Sequence, residues 1–161
     1  MDPHSYIGQI RASVGPRLLL LPGARLVLKR EDGAVLLQLR ADFLRWGLPG
    51  GTPEEGESLE ACLHREMQEE LDIELEEAVA FGFSSDPSLE TVHYPNGDWC
   101  QYFALMFVCR KFKGRPRVAD EEGLELRWCA ADALPEPLMA GVEPTLRAFQ
   151  AWERSQCFQL L

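Results

Sequence analysis

The sequence lacks an apolar run long enough to span a membrane, because the longest early stretch, residues 18–21, ends at Pro22. The first five residues carry no basic segment, which argues against a secretory signal peptide. These two absences predict a cytoplasmic protein that does not use a membrane. The chain also has no internal repeat and no low-complexity segment, and its 161 residues suit a single domain with a sizeable core.

The sequence also lacks a cysteine pattern typical of disulfides or zinc sites. The five cysteines are an odd number, and no two of them have the spacing of a zinc site. Three of them lie in apolar runs, which favours reduced and mostly buried thiols over disulfides. The cysteines are Cys62, Cys100, Cys109, Cys129 and Cys157.

Positive charge is scarce. The chain has 16 Lys and Arg residues against 26 Asp and Glu residues, for a formal net charge of −10. A protein that binds long nucleic acid needs a basic field, so that class of partner is disfavoured. A small anionic substrate remains compatible with the composition, because a bound cation and a few arginines can hold its phosphates.

A strongly acidic helix is the most informative feature that is present. Residues 59–71 contain no helix breaker, and Ser58 is a suitable N-cap. Glu66, Glu69 and Glu70 are spaced i, i+3 and i+4, which puts them on one helical face. A neighbouring apolar stripe that can pack on a core consists of Leu63, Met67 and Leu71.

Three carboxylates on one face repel one another, and this repulsion raises their pKa values. A hard divalent cation relieves the repulsion, because such ions prefer oxygen ligands. The alternative interpretation of the face alone is a solvated acidic surface.

The spacing of residues 51–73 decides between these interpretations. These 23 residues resemble the Nudix box, the signature of the Nudix hydrolases. One position departs from the pattern, since Asp72 stands where the family has a glycine at the end of the helix. Residues 46–51 also resemble the usual segment before the box. The matching box positions are Gly51, Glu57, Arg65, Glu66, Met67, Glu69, Glu70 and Ile73.

The resemblance implies a fold, a reaction and a metal. The implied fold is α+β, a Nudix-type α/β/α sandwich around a mixed β-sheet, formed as a single domain over residues 1–161. The implied reaction is attack by water on a diphosphate linkage of a small nucleotide substrate. Glu66, Glu69 and Glu70 match the family's metal-binding glutamates, and the Gly51 carbonyl matches a frequent backbone ligand. Mg²⁺ is the expected ion, with Mn²⁺ as a substitute.

The resemblance also suggests roles for the remaining catalytic residues. Arg65 is expected to pair with Glu57 or a neighbouring carboxylate and to aim the metal-binding face. The general base is a box glutamate in some family members and an acidic loop residue in others. Glu122 is the favoured loop residue over Glu121, because Gly123 allows the chain to turn behind it. The predicted catalytic set is therefore Arg65, Glu66, Glu69 and Glu122.

Substrate-binding candidates flank the box. Arg40 and Arg45 could hold phosphates, and three aromatic side chains could stack on a base, although each could instead belong to the core. These aromatic residues are Phe43, Trp46 and Trp99. Two alternatives to hydrolysis are a non-catalytic Nudix module that binds a nucleotide and regulates a partner, and an isomerase. A homodimer is possible.

Periodicity and turn signals predict the other elements. Residues 2–14 are predicted to form an amphipathic packing helix, and they also resemble the N-terminal segment of one bacterial Nudix subgroup. Residues 24–29 and 34–39 are predicted to form a hairpin around Asp32-Gly33. Asp72 is expected to adopt a positive φ. The remaining predicted strands are residues 74–83, 89–94, 99–112 as the central strand, and 125–129, followed by a helix over residues 142–156.

Overall fold

The structure is a computed structural model that describes residues 6–161. In this part of the chain, none of the helices is long and apolar enough to cross a membrane. The elements in chain order are α1 (Tyr6–Val14), β1 (Leu19–Leu28), β2 (Val35–Arg40), β3 (Trp46–Gly47), β4 (Gly50–Gly51), α2 (Leu59–Leu71), β5 (Glu74–Ser84), α3 (Pro87–Glu90), β6 (Thr91–His93), β7 (Trp99–Lys113), β8 (Gly123–Cys129), α4 (Val142–Ser155) and β9 (Gln159–Leu160).

Two sheets form the centre of the fold. The larger sheet has the order β4-β1-β7-β5-β9, with β6 also paired to β7. It is mixed, because β1 runs parallel to β7 while β5 runs antiparallel to it. The smaller sheet has the order β3-β2-β8. The predicted central strand is therefore confirmed as β7.

Helices α2 and α4 cover opposite sides of the larger sheet. Leu26 and Leu28 of β1 belong to one core with the apolar stripe of α2, while Val27 belongs to a second core with α4. This division follows from the alternation of side chains along a strand. The predicted α+β class and the α/β/α sandwich are confirmed. The buried apolar residues of α2 are Cys62 and the three stripe residues Leu63, Met67 and Leu71. The buried apolar side of α4 includes Leu146 and Phe149.

The thiols agree with the sequence prediction. All five cysteines are free, and four of them are buried. Only Cys157 is exposed.

The predicted hairpin around Asp32-Gly33 is wrong beyond its turn. The turn closes, and Lys29 and Val35 form one antiparallel bridge. Past that bridge the two strands enter different sheets, since β1 pairs with β7 and β2 pairs with β8. A local turn signal could not reveal that long-range partners separate the strands.

Two other boundaries differ from the predictions. β1 begins at Leu19 and passes through Pro22, where the neighbouring strand β4 does not reach, so the missing N–H is tolerated. The predicted strand 89–94 is instead the short helix α3 followed by β6, because Asp86 caps a turn that starts with Pro87. Of the predicted helix 2–14, residues 6–14 are helical, and residues 2–5 lie outside the described residues.

Asp72 ends α2 in the left-handed conformation, with φ of 55° and ψ of 43°. The expected positive φ is confirmed. The aspartate also has two side-chain contacts, because Arg117 Nε lies 2.9 Å from one carboxylate oxygen and Gln68 Nε2 donates to the other at 3.2 Å. The ion pair is exposed, so it offsets only part of the backbone strain.

We expect Asp72→Gly to raise the free energy of unfolding by about 0.5 kcal/mol. Glycine removes the left-handed strain and the negative charge at the helix C-terminus, while it loses the Arg117 pair and gains unfolded-state entropy. Asp72→Ala is the control, because it loses the same contacts and keeps the strain, so its unfolding free energy should fall by about 1 kcal/mol. Urea unfolding measures both changes, and a glycine variant less stable than the parent would contradict the account.

Candidate active site

An open cleft of about 850 Å³ lies beside the C-terminal half of α2, from which Glu66 and Glu70 line it. Its volume is in the range of small-molecule binding sites. The floor is formed by β1 and β4, and the walls by residues 40–45, residues 89–96 and residues 138–142. Glu66 and Glu70 face it from α2, and Glu121 and Glu122 face it from the loop before β8.

Local interactions fix the turn that leads into α2. Ser58 accepts a hydrogen bond from the Ala61 N–H, as an N-cap does. Arg65 donates to both carboxylate oxygens of Glu57, each at 3.0 Å, and to the Thr52 carbonyl at 3.2 Å. The predicted Arg65–Glu57 pair is confirmed, and it ties the turn to the helix.

The three box glutamates have different surroundings. Glu70 is 3% exposed, and its Oε2 has no hydrogen-bond partner among the described residues. Glu66 is partly buried, with Oε1 lying 3.1 Å from Arg65. Glu69 is 57% exposed, accepts a hydrogen bond from Arg65 at 3.0 Å and does not line the cleft.

Gly51 lies directly against Glu66. A Cβ atom at residue 51 would fall 2.1 Å from Glu66 Oε1, so any side chain there would displace the carboxylate. The absence of a side chain lets the backbone of residue 51 approach the acidic face. This contact explains why a glycine begins the segment.

Burial and mutual repulsion perturb these carboxyl groups. Burial raises the pKa of Glu70 to about 9, and the negative charges of Glu66 and Glu122 add to the rise. Burial also raises the pKa of Glu66, although the charge of Arg65 opposes the shift. Glu122 contributes to both shifts, which places its charge with the box carboxylates.

Backbone hydrogen bonds hold the acidic loop at the cleft. The Ala119 N–H donates to the Glu70 carbonyl at 3.0 Å, and the Arg117 N–H donates to the Leu71 carbonyl at 3.1 Å. On the other side, the Ala41 N–H donates to the Glu122 carbonyl at 2.9 Å. Residues 113–117 therefore belong to a segment that runs past the end of α2.

The donor set fits a divalent cation. Across residues 6–161, no group of three or more His, Cys, Asp or Glu side chains is arranged as a ready metal cage. However, Glu70 Oε2 is buried without a hydrogen-bond partner in residues 6–161, and the pKa values of Glu66 and Glu70 are both raised. Oxygen donors with uncompensated negative charge are the ligands that Mg²⁺ and Mn²⁺ prefer.

Arg40, Phe43 and Arg45, three of the sequence candidates for substrate binding, line the cleft. Arg40 donates to both oxygens of Asp42, at 3.0 and 2.7 Å. Its positive charge lowers the pKa of Glu70 and also that of Tyr94, in both cases against the larger effect of burial. The charge of Arg40 therefore acts on both a carboxyl group and a tyrosine of the cleft, and its guanidinium carbon lies 5.7 Å from the Phe43 ring centre.

The other two predicted stacking residues lie elsewhere. Trp46 is 4% exposed in the core, and the Arg127 guanidinium lies 4.5 Å from its ring centre. Trp99 lies next to His93 at the start of β7, outside the lining of the cleft. The predicted stacking role therefore does not extend to Trp46 or Trp99.

Two tyrosines that the sequence did not single out do line the cleft. The hydroxyl oxygens of Tyr94 and Tyr102 are 2.7 Å apart, and the Phe43 and Tyr94 ring centres are 5.3 Å apart. Tyr102 lies within an apolar strand and Tyr94 beside a turn, so neither position carried a distinguishing signal. A buried pair, Arg25 with Glu90, also lines the cleft, with contacts of 2.8 and 2.9 Å.

Fold and cleft together define a small α+β enzyme whose site lies beside an acidic helix. The family model described as NUDIX domain matches residues 19–149, and the chain belongs to the Nudix family of hydrolases. Its activity class is that of a pyrophosphohydrolase. The location in the cell and the possible homodimer stay predictions.

Individual relatives agree with this assignment. A MutT-like protein of Streptomyces ambofaciens is 30% identical over 131 residues, which cover 81% of this chain and 77% of that protein. A MutT Nudix hydrolase from Burkholderia pseudomallei is 31% identical, with a TM-score of 0.63 over 81% of this chain and 96% of that chain. An ADP-ribose pyrophosphatase from Streptococcus suis shares the fold at 20% identity, with a TM-score of 0.64 over 87% and 96% of the two chains.

We expect Glu70→Gln to stabilise the metal-free protein at pH 8 by roughly 1–3 kcal/mol. The folded-state pKa of Glu70 is raised to about 9 from 4.5. The stability that the protonated carboxyl contributes is therefore present below pH 4.5 and is lost as the pH rises towards 9. Thermal and urea unfolding in a chelator at pH 5 and pH 8 should show a smaller pH dependence in the variant.

Glu69→Gln is the matched control, because it makes the same chemical change on the exposed side of α2. Its metal-free stability should stay within about 0.5 kcal/mol of the parent at both pH values. Equal effects of the two substitutions would contradict the assignment of Glu70 as the strained carboxylate.

Proposed function

We propose that this protein hydrolyses the diphosphate linkage of a small nucleoside diphosphate derivative or a nucleoside triphosphate, with Mg²⁺ as the metal and Mn²⁺ as a substitute. The observation that supports this most is the composition of one cleft. Crowded, partly buried carboxylates, aromatic rings and Arg40 all line it, and the charge of Arg40 acts on both Glu70 and Tyr94. This combination suits the metal, diphosphate and base of a nucleotide.

The proposed metal-binding groups are Glu66, Glu70 and the Gly51 carbonyl, with Glu69 as a further ligand. A bound divalent ion would neutralise diphosphate oxygens and acidify a coordinated water. To bind the ion, Glu69 would give up its hydrogen bond from Arg65. The hydrogen bond from Arg65 to Glu57 would keep the arginine in place. Arg65 thus has a positioning role in the proposal.

Glu122 is proposed as the general base. A carboxylate that holds a cation has reduced basicity, so an exposed loop carboxylate is better suited to accept a proton from water. Glu122 is exposed and contributes to the raised pKa values of Glu66 and Glu70, whereas Glu121 is not a cause of either shift. Once Glu122 accepts a proton from the attacking water, the water oxygen would bond to phosphorus as the phosphoanhydride bond breaks.

Arg40 and Arg45 are proposed to neutralise the phosphates. Arg40 is held by Asp42 within the cleft, so its guanidinium is already oriented. Arg45 is exposed and donates to the Leu138 carbonyl at 3.2 Å, which leaves other N–H groups for a ligand. Phe43 is the remaining sequence-predicted stacking residue in the proposed site.

A substrate panel tests this function. It contains nucleotide sugars including ADP-ribose, dinucleotides and nucleoside triphosphates, each with Mg²⁺, Mn²⁺ or a chelator, and products are separated by chromatography. We expect metal-dependent release of phosphate, pyrophosphate or a nucleoside monophosphate, which Glu70→Gln abolishes. Tight nucleotide binding without turnover would instead favour the non-catalytic regulatory module.

We expect Glu122→Gln to lower kcat by about 10²–10⁴-fold, because the variant keeps the shape of the side chain and loses the base. The Mn²⁺ affinity of this variant, measured by electron paramagnetic resonance, should be nearly unchanged. Glu66→Gln, in contrast, should lower both kcat and the Mn²⁺ affinity. Steady-state kinetics with the best substrate of the panel provides the comparison.

Glu121→Gln is the matched control for this prediction. It removes the same charge one residue earlier in the same loop and should change kcat less than about threefold. A loss below tenfold in Glu122→Gln would move the base to Glu66.

A further inference from the structure

Helix α1 lies outside the part of the chain that matches the family, since that match begins at residue 19. Nevertheless, Tyr6 and Ile7 at its N-terminal end line the cleft. Of the residues described in α1, none is buried, and Tyr6 is 41% exposed. Ile7 and Ile10 are only half-buried, so packing alone does not account for the position of α1.

Arg11 fixes the other end of the helix. Its Nε lies 2.9 Å from Asp98 Oδ1, and both side chains are mostly buried, with 13% and 14% exposed. The guanidinium also donates to the carbonyls of Gly15 and Trp99, each at 3.1 Å. Because these partners surround one planar group, α1 is held in a defined position against the turn between β6 and β7.

That turn also carries the aromatic wall of the cleft. The Tyr94 N–H donates to the Asp98 carbonyl at 2.8 Å, and the Gly97 N–H donates to the Tyr94 carbonyl at 2.9 Å. The Tyr94 ring packs on Phe43, and its hydroxyl bonds to that of Tyr102. One short turn therefore links the anchor of α1 to the rings that face the cleft.

The aromatic side chains that line the cleft suit the binding of a flat aromatic group. Tyr6 and Ile7 add an exposed ring and a half-buried aliphatic side chain to the lining of the cleft, which also contains Phe43 and Tyr94. Burial raises the pKa of both Tyr94 and Tyr102, so their hydroxyls stay neutral and available for hydrogen bonds. Stacking faces with neutral polar groups at their edge recognise nucleobases.

We propose that α1 is part of the substrate-binding cleft, where Tyr6 and Ile7 contact the nucleobase of the substrate and Arg11, through Asp98, is the positioning residue that holds them there. This inference rests on the proposed function, because it specifies which part of a nucleotide α1 contacts. It makes an element outside the family segment a determinant of substrate choice.

The test compares two substitutions at residue 6. Tyr6→Ala should raise KM for the best nucleotide substrate about tenfold with kcat changed less than twofold, because only base binding is lost. Tyr6→Phe keeps the ring and should stay within about twofold of the parent KM. Inorganic pyrophosphate, which has no base, should inhibit all three proteins with the same inhibition constant.

Variants along the helix separate positioning from general stability. Arg11→Ala and Asp98→Ala should each reproduce the KM increase, and the double variant should be no worse than either, since both break the same anchor. Val14→Ala is the matched control, because Val14 is exposed at the far end of α1. It should leave KM and the melting temperature unchanged.

Equilibrium binding of ADP and GDP distinguishes failure of this inference from failure of the proposed function. If the parent binds or cleaves nucleotides and Tyr6→Ala matches it within twofold, the inference is overturned and the function stands. If the parent hydrolyses nothing in the panel but Tyr6→Ala weakens nucleotide binding about tenfold, the inference stands and the function is overturned. A parent that binds no nucleotide overturns both.

Discussion

Helix α2 buries an apolar stripe and a carboxylate on neighbouring faces, and the construction of the cleft depends on this combination. Leu63 and Met67 pack into the core and set the rotation of the helix about its axis. With about 100° between successive residues, that rotation turns Glu66 and Glu70 towards the cleft and leaves Glu69 towards solvent. The burial of Glu70 Oε2, which has no hydrogen-bond partner within the described part of the chain, is unfavourable in the metal-free protein. A cation that binds Glu70 would relieve this cost, so the apolar core and the proposed chemistry are coupled through one helix.

The spacing within the box has a physical explanation in the same helix. Gly51 must lack a side chain because the Glu66 carboxylate occupies that space. Arg65 is the residue before Glu66, and its guanidinium holds Glu57 and the Thr52 carbonyl. Consequently, the turn and the acidic face keep one relative position. A shift of Glu66 by one residue along α2 would rotate it about 100° away from Gly51.

Local rules predicted the features that depend on neighbouring residues. The helix over residues 59–71, its Ser58 cap and the left-handed Asp72 all follow from chemistry within a few positions. Long-range partners decided the rest. Tertiary pairing separated β1 from β2 after the Asp32-Gly33 turn, and the bond from the Ala119 N–H to the Glu70 carbonyl placed the acidic loop beside α2. No pattern in the sequence distinguished Trp46, which is buried, from Phe43, which lines the cleft.

The lining of the cleft comes from two parts of the chain. The carboxylates belong to the segment that the family shares, whereas α1, which lies before the family match, contributes Tyr6 and Ile7. Arg40 belongs to the shared segment, and its charge acts on both Glu70 and Tyr94. In the proposed function, changes in α1 would alter the surface that contacts the base without disturbing the carboxylates. Such a division would let one fold keep a constant reaction while its substrate varies, because the carboxylates lie on α2 and α1 is a separate element.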